Sequence, residues 1–241
     1  MENQDIKLQK RISEIGFCSR REAERLIAEN KVLVNGELAY IGMRVNNHDE
    51  IKINGKVITL NKPKKIVYIL LNKPQNTICT LKDPQERRTI YQYLKIKEHM
   101  FSVGRLDFNT TGVIIITNDG ELANLLAHPS SQIEREYLVE LEKPLEEKEL
   151  NYLNSNKVML NGKPSKQIVK QIGNNKYSIK LREGRNHHVK NLFLLVNNYV
   201  KKLHRKSYGP INHNALKIGD WRYLTQDEVN ILKALVNKDI K

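Results

Sequence analysis

Apolar positions along the chain follow two periods. In DIKLQKRISEIG (5–16), Leu8, Ile12 and Ile15 recur at helical spacing and Gly16 supplies a stop. SRREAERLIAEN (19–30) opens on Ser19 with Glu22 three residues later, a capping box. It turns Leu26 and Ile27 inward and leaves Arg20, Arg21 and Arg25 outside. KVLVNGELA (31–39) alternates into a tight turn at Asn35-Gly36, and DEIKING (49–55) closes a compact unit. The proline and lysines of LNKPKK (60–65) mark a linker. Downstream, IVYILLNKP (66–74) and GVIIIT (112–117) are apolar runs of strand length, expected to be buried. TNDGELANLLAHP (117–129) starts a helix capped by Asn118 or Asp119, with Leu122, Leu125 and Leu126 on one face. EREYLVELE (134–142) groups Tyr137, Val139 and Leu141, and NKYSIKLREG (175–184) groups Tyr177, Ile179 and Leu181, both at the strand period. NHHVKNLFLLVNN (186–198) is an amphipathic helix with Val189, Leu192, Phe193 and Val196 inward, and Thr225 with Glu228 caps a final helix. Strands and helices interleave without regular βαβ alternation, so the pattern predicts an α+β fold.

Length and composition narrow the class. The 241 residues suffice for one large domain or two smaller ones. No apolar run approaches the ~18 residues of a membrane span, and MENQDIKLQKR lacks the apolar stretch of a secretory signal. Cys18 and Cys79 offer neither metal spacing nor a disulfide framework, which leads us to expect a reducing, cytoplasmic setting. Charge is more informative. The net charge is +14, and residues 157–206 hold 13 Lys/Arg against one acid, Glu183, whereas residues 107–149 hold 10 acids and 3 basic residues. Such polarity points to a polyanion, nucleic acid above all. The alternative is a solvated, lysine-rich surface from a genome biased towards Asn, Ile and Lys.

The common catalytic signatures are absent: no Walker loop, no GxGxxG after a strand, no HExxH and no GxSxG. His187 and His188 are adjacent, so on a helix they point about 100° apart and cannot face one metal. Three features remain: a polar loop GRLDFNTTG (104–112) before the most apolar run, a strand bearing Tyr137, and a basic turn REGRNHHVKN (182–191) entering a helix. A carboxylate, a phenol and a basic helix start from three segments would make an electrostatically primed site. By themselves they support an RNA-binding protein with a possible catalytic carboxylate.

Four segments in order, LNKP (71–74), GRLDFNTTGVIIITNDGELANLLAHP (104–129), EREYLVEL (134–141) and LREGRNHHVKNLF (181–193), resemble the bacterial ribosomal RNA pseudouridine synthases of the RsuA and RluB type. LQKRISEIGFCSRREAERLIAENKVLVNG (8–36) resembles the S-four-type RNA-binding domain that commonly precedes that catalytic domain. The resemblance covers residues 5 to about 236. It implies an RNA-binding domain over 1–60, a linker over 61–65, and a catalytic domain over 66–241 built on a mixed, mainly antiparallel sheet flanked by helices. It implies isomerisation of uridine to pseudouridine in ribosomal RNA, with no cofactor and no metal. By motif position, Asp107 is the catalytic carboxylate, Tyr137 the tyrosine packing on the flipped base, and Arg185 the basic residue pairing with the aspartate. Leu181 packs beneath the site, and Lys73 and Pro74 form the KP motif at its floor. Arg105 and Thr110 support the loop. Arg20, Arg21, Arg25 and Lys190 are the candidate RNA contacts.

Physical chemistry makes sense of these roles. A nucleophilic carboxylate must stay ionised in a pocket that excludes water; an adjacent cation counters the effect of desolvation. A target base inside folded RNA must be extruded at a cost of roughly a few kcal/mol, which phosphate contacts offset. Three departures stand out, one of them Asn109 in place of the commoner Asp of the loop, a change not foreign to the RluB group. Asn76 occupies a position where the family often has Gly, and Asn tolerates the left-handed backbone. GRNHHVKN stands where the family reads close to GRNRQVRR, which removes basic side chains from that helix. LNKPQNTICTLKDP and HPSSQIEREY resemble the large-subunit group more, so the expected partner is 23S rRNA or a ribosome assembly particle, met by a monomer. A small-subunit 16S rRNA enzyme and a non-catalytic ribosome-assembly factor are the alternatives.

Overall fold

The computed structural model describes residues 5–58, 65–81, 83–94, 96 and 99–237. They form two compact units that divide between Ile66 and Val67, with His99 grouped with the first. Of the linker expected over 61–65, only Lys65 lies among the described residues.

In the first unit, β1 (Ile6–Lys7) leads into α1 (Leu8–Ile15), which ends at Gly16 with φ 86°. The helix α2 (Arg20–Ala28) starts from Ser19, whose Oγ accepts the Glu22 N–H at 3.2 Å. Short strands follow: β2 (Val32–Val34), β3 (Glu37–Leu38), β4 (Arg44–Val45), β5 (Ile51–Ile53) and β6 (Lys56–Ile58). Asn35 and Gly36, with φ of 52° and 89°, make the two-residue turn that an Asn-Gly pair favours. Strand order is β3-β2-β5-β6, and Leu8, Ile12, Leu26 and Ile27 pack on Val32, Ile51 and Ile53.

The second unit runs β7 (Tyr68–Lys73), β8 (Phe101–Ser102), β9 (Thr111–Thr117), α3 (Gly120–Ala127), β10 (Arg135–Leu141), α4 (Glu147–Leu153), β11 (Met159–Leu160), β12 (Lys163–Pro164), β13 (Gln167–Gln171), β14 (Lys176–Leu181), α5 (His188–Leu194), β15 (Val200–Tyr208), β16 (Ile211–Asn212), β17 (Trp221–Tyr223) and α6 (Gln226–Asn237). Its main sheet has the order β13-β14-β10-β15-β9-β7-β17. Among these strands β9 and β15 pair in parallel and the others antiparallel, the mixed, mainly antiparallel sheet expected of an α+β chain.

Every residue of β7 and β9 is buried because both faces of the sheet are covered. On one face Leu70, Val113 and Ile115 meet Leu122 and Leu126 of α3 and Leu232 of α6. On the other, Ile69, Leu71 and Ile114 share a core with Leu153 of α4 and Val189, Leu192 and Phe193 of α5. This explains why the two strands read as unbroken apolar runs rather than alternating ones. Asp119 is the cap of α3, accepting the Leu122 N–H at 3.0 Å. Leu125, expected on the inner face, is instead 39% exposed. The final helix carries the full capping box: Thr225 Oγ1 accepts the Glu228 N–H at 3.2 Å, and the Glu228 carboxylate accepts the Thr225 N–H at 2.9 Å.

Candidate active site

The loop that carries Asp107 is braced from below by the segment after β7. Lys73 is fully buried, and the three N–H groups of its ammonium are shared among four carbonyls within reach: Thr110 at 2.8 Å, Pro74 at 3.0 Å, Asp107 at 3.1 Å and Phe108 at 3.3 Å. Cys79 Sγ donates to the Leu106 carbonyl and accepts the Leu106 N–H, both at 3.4 Å. The Thr110 N–H closes the turn on the Asp107 carbonyl at 3.1 Å. Asn76 takes φ 55°, so the segment bends as a glycine would allow. Burial pushes Lys73 down to about 8, against the opposing pull of the Asp107 carboxylate.

A row of residues across the sheet places this loop against the rest of the site. Lys73 pairs with Gly112, Gly112 with Arg205, Arg205 with Tyr137, and Tyr137 with Ile179. A β-carbon on Gly112 would stand 2.2 Å from the Arg205 carbonyl oxygen, so β9 and β15 can approach this closely only with glycine there. A register shift between Glu136 and Tyr137 lets Arg205 and Tyr208, three residues apart on β15, both be buried.

Asp107, Tyr137, Arg205 and Leu181 line one cavity of about 120 Å³, with Arg105 and Thr110 on its loop side. Tyr137 and Leu181 are buried, while Arg105 is exposed. A wider hollow of about 470 Å³ shares Asp107, Arg105 and His187 and adds Arg87 and Asn186.

The basic partner of the carboxylate differs from expectation. Lys190 Nζ lies 2.8 Å from Asp107 Oδ2, and His187 Nε2 lies 3.7 Å from Oδ1. Arg185 points elsewhere: its guanidinium donates to Glu183 at 2.9 and 3.0 Å, to the Leu160 carbonyl at 2.7 Å, to that of Lys163 at 3.2 Å, and to that of Pro164. Arg185 thus clasps the β11–β12 hairpin while still lining the cavity and the wider hollow, and Lys190, expected as an RNA contact, takes the place beside Asp107. The physical reason is the entry into α5. His187 adopts φ 51° and precedes the first helical residue, so His187 and Lys190, three positions apart, share the side facing Asp107. His188 turns inward, 4% exposed, with Nε2 2.8 Å from Ser165 Oγ, and burial drives it down to about 4. The two histidines diverge as adjacency requires, and among the described residues no cluster of His, Cys, Asp and Glu could hold a metal ion.

The remaining expected residues belong to the first unit. Arg20 and Arg21 are exposed on α2. Arg25 is engaged by Glu22 at 2.6 Å and Glu29 at 2.7 Å. Pattern reading misses Arg205, Arg135, Leu203 and Tyr208, all of which line the cavity. Arg135 donates to the Arg182 carbonyl at 3.1 Å and to Tyr208 Oη at 3.3 Å.

Comparison with known proteins identifies the family. The model of the RNA pseudouridylate synthase family matches residues 67–195, and that of the S4 domain matches residues 6–51. The chain is 40% identical over 233 residues to an uncharacterised RNA pseudouridine synthase of Aquifex aeolicus, a match covering 93% of this chain and 92% of the relative. It is 35% identical over 239 residues to ribosomal large subunit pseudouridine synthase B of Bacillus subtilis, covering 96% and 97% of the two chains. A crystal structure of a pseudouridylate synthase superposes with a TM-score of 0.68 at 30% identity, over 94% of this chain and 99% of that one.

Proposed function

Since the chain belongs to the RNA pseudouridylate synthase family, we propose that it isomerises a specific uridine of large-subunit 23S ribosomal RNA, with Asp107 as the catalytic carboxylate. The observation that carries this reading is the ion pair of Asp107 with Lys190 at 2.8 Å on the rim of a cavity lined by Tyr137 and Leu181. An extruded uracil lies against Tyr137, and its ribose faces Asp107. The carboxylate drives cleavage of the bond between N1 and the anomeric carbon, whether by attack on that carbon or by another route. The freed base turns within the cavity, bonds through carbon five, and loses the proton there. Lys190 holds the carboxylate in place through the 2.8 Å ion pair. The wider hollow lined by Arg87, Arg105 and Asn186 receives neighbouring nucleotides, and residues 1–60 supply further RNA contacts through Arg20 and Arg21.

The large-subunit choice is supported by LNKPQNTICTLKDP and HPSSQIEREY and by the name of the Bacillus subtilis relative. The test is tritium release from RNA labelled at uracil carbon five. Release from large-subunit but not small-subunit RNA, lost in Asp107→Asn with RNA affinity retained, is the expected result. Release from small-subunit RNA alone would move the substrate. Binding without release from either RNA, or from a precursor particle, would make the chain an assembly factor.

A further inference from the structure

Two polar atoms in the cavity remain unused by the chemistry above. Among the described residues six buried side-chain polar atoms lack a hydrogen-bond partner, and two of these, Thr110 Oγ1 and Arg205 Nη2, belong to residues lining this cavity. Thr110 is 1% exposed and Arg205 2% exposed. Buried donors, charged ones above all, are costly to leave unpaired, and native folds rarely keep them so. The rest of the arginine is anchored. Its Nε donates to the Val113 carbonyl at 2.6 Å, and its guanidinium lies over the Tyr208 ring, 5.3 Å from the centroid. The anchoring fixes the guanidinium plane and leaves Nη2 for a ligand. Thr110 is anchored by its backbone, through Lys73 and Asp107, so its hydroxyl is likewise uncommitted.

A donor-only cation and a hydroxyl that can accept, lining the same cavity, complement one stretch of uracil: a ring carbonyl next to the N3–H. Resting on the pseudouridine synthase reading above, we propose that Arg205 Nη2 donates to a carbonyl oxygen of the extruded uracil while Thr110 Oγ1 accepts its N3–H. The pair reads the imide edge of the base, and Arg205 is a catalytic residue. When the bond between N1 and the anomeric carbon breaks, its electron pair stays with the base and spreads over N1 and both carbonyl oxygens. Arg205 meets that charge with a hydrogen bond and transfers no proton. An electron pair of the same anion at carbon five then forms the new carbon–carbon bond, the carbon-five proton leaves, and a proton returns to N1, so nothing is consumed. A donor fixed in advance in a water-poor site is worth more to such a charge than one in solvent.

The test compares wild type, Arg205→Met and Thr110→Val on rRNA carrying uridine, 2-thiouridine or 4-thiouridine at the target, since sulfur accepts hydrogen bonds more weakly than oxygen. Arg205→Met should lose about 10²–10³-fold in kcat, the usual cost of one donor to developing charge. Thr110→Val should melt no lower than wild type, because its hydroxyl has no partner among the described residues, yet lose about tenfold in kcat/KM, the worth of one neutral hydrogen bond. Sulfur at one of the two carbonyls should slow the wild type and slow Arg205→Met no further. Wild-type rates in a folded Thr110→Val, or a wild type indifferent to sulfur at both positions, would overturn the proposal even if Arg205→Met fails to fold. Absence of tritium release by the wild type itself is a separate result and would remove the underlying enzyme reading as well.

Discussion

Two cations near Asp107 have different work, and substitution separates them. Lys190 touches the carboxylate, so Lys190→Met should lower kcat about 10²-fold with little change in melting temperature, and Lys190→Arg should recover most of the loss. Arg185 holds three carbonyls and Glu183, so Arg185→Ala should cost about 2 kcal/mol of stability while the folded fraction keeps its kcat. Steady-state kinetics beside thermal melts distinguish the two patterns. Motif position alone did not, because REGRNHHVKN offers several basic side chains and a turn does not announce which one swings towards the loop. The spacing of His187 and Lys190 was the usable signal, since residues three apart share a helix side. Lys73 makes a further prediction through pH. Its ammonium is held near 8 in the folded chain against 10.5 ordinarily, so between these values the unfolded chain binds the extra proton and stability rises with pH. The stability gap between wild type and Lys73→Met, read from denaturant melts, should therefore widen from pH 8 to 10.5.

At the scale of strands and helices, legibility followed burial. Strands with both faces covered, β7 and β9, read as apolar runs, and half-covered β10 and β14 read as alternation; all four lie where the pattern put them. The Asn35-Gly36 turn and the Thr225/Glu228 cap were legible because their chemistry is local. By contrast, β15 is central to the sheet yet reads VKKLHRKSY, with lysines outside, an arginine at a core position, and a register shift that breaks the period. No local pattern marks such a strand; its partners do. Helix α5 is shorter than the amphipathic run suggested, with Val196 buried just beyond its end. The meeting of β9 and β15 depends on Gly112, at φ 110° and in contact with the Arg205 backbone. Gly112→Ala should cost about 3 kcal/mol or more by forcing that backbone apart, and activity should fall with it.

Over the whole molecule, charges separated in sequence come together across the sheet. Lys180 meets Glu134, Lys202 meets Glu140 and Lys206 meets Glu136, each at 3.1 Å, so the basic stretch and the acidic stretch partly neutralise each other. Lys190 and Arg185 are also paired, and Arg205 is buried. The count of 13 basic residues in 157–206 therefore overstates the surface available to phosphate. RNA affinity should still fall with salt, but with a log–log slope well short of that for 13 contacts, at about 0.7–0.9 per phosphate neutralised. Binding titrations across a salt series would measure it.

The order of strands in space also has a consequence in time. Asp107 precedes β9 and Tyr137 lies on β10, neighbours in sequence, yet β15 lies between β9 and β10 in the sheet. A chain emerging from synthesis holds the aspartate and the tyrosine long before it holds the strand that sets their spacing, and long-range pairings of this kind form late. The pocket is therefore among the last things the fold completes. A nascent or truncated chain ending before Val200 carries both residues and has no site to put them in. Competence to modify RNA then serves as a certificate that the sheet has closed.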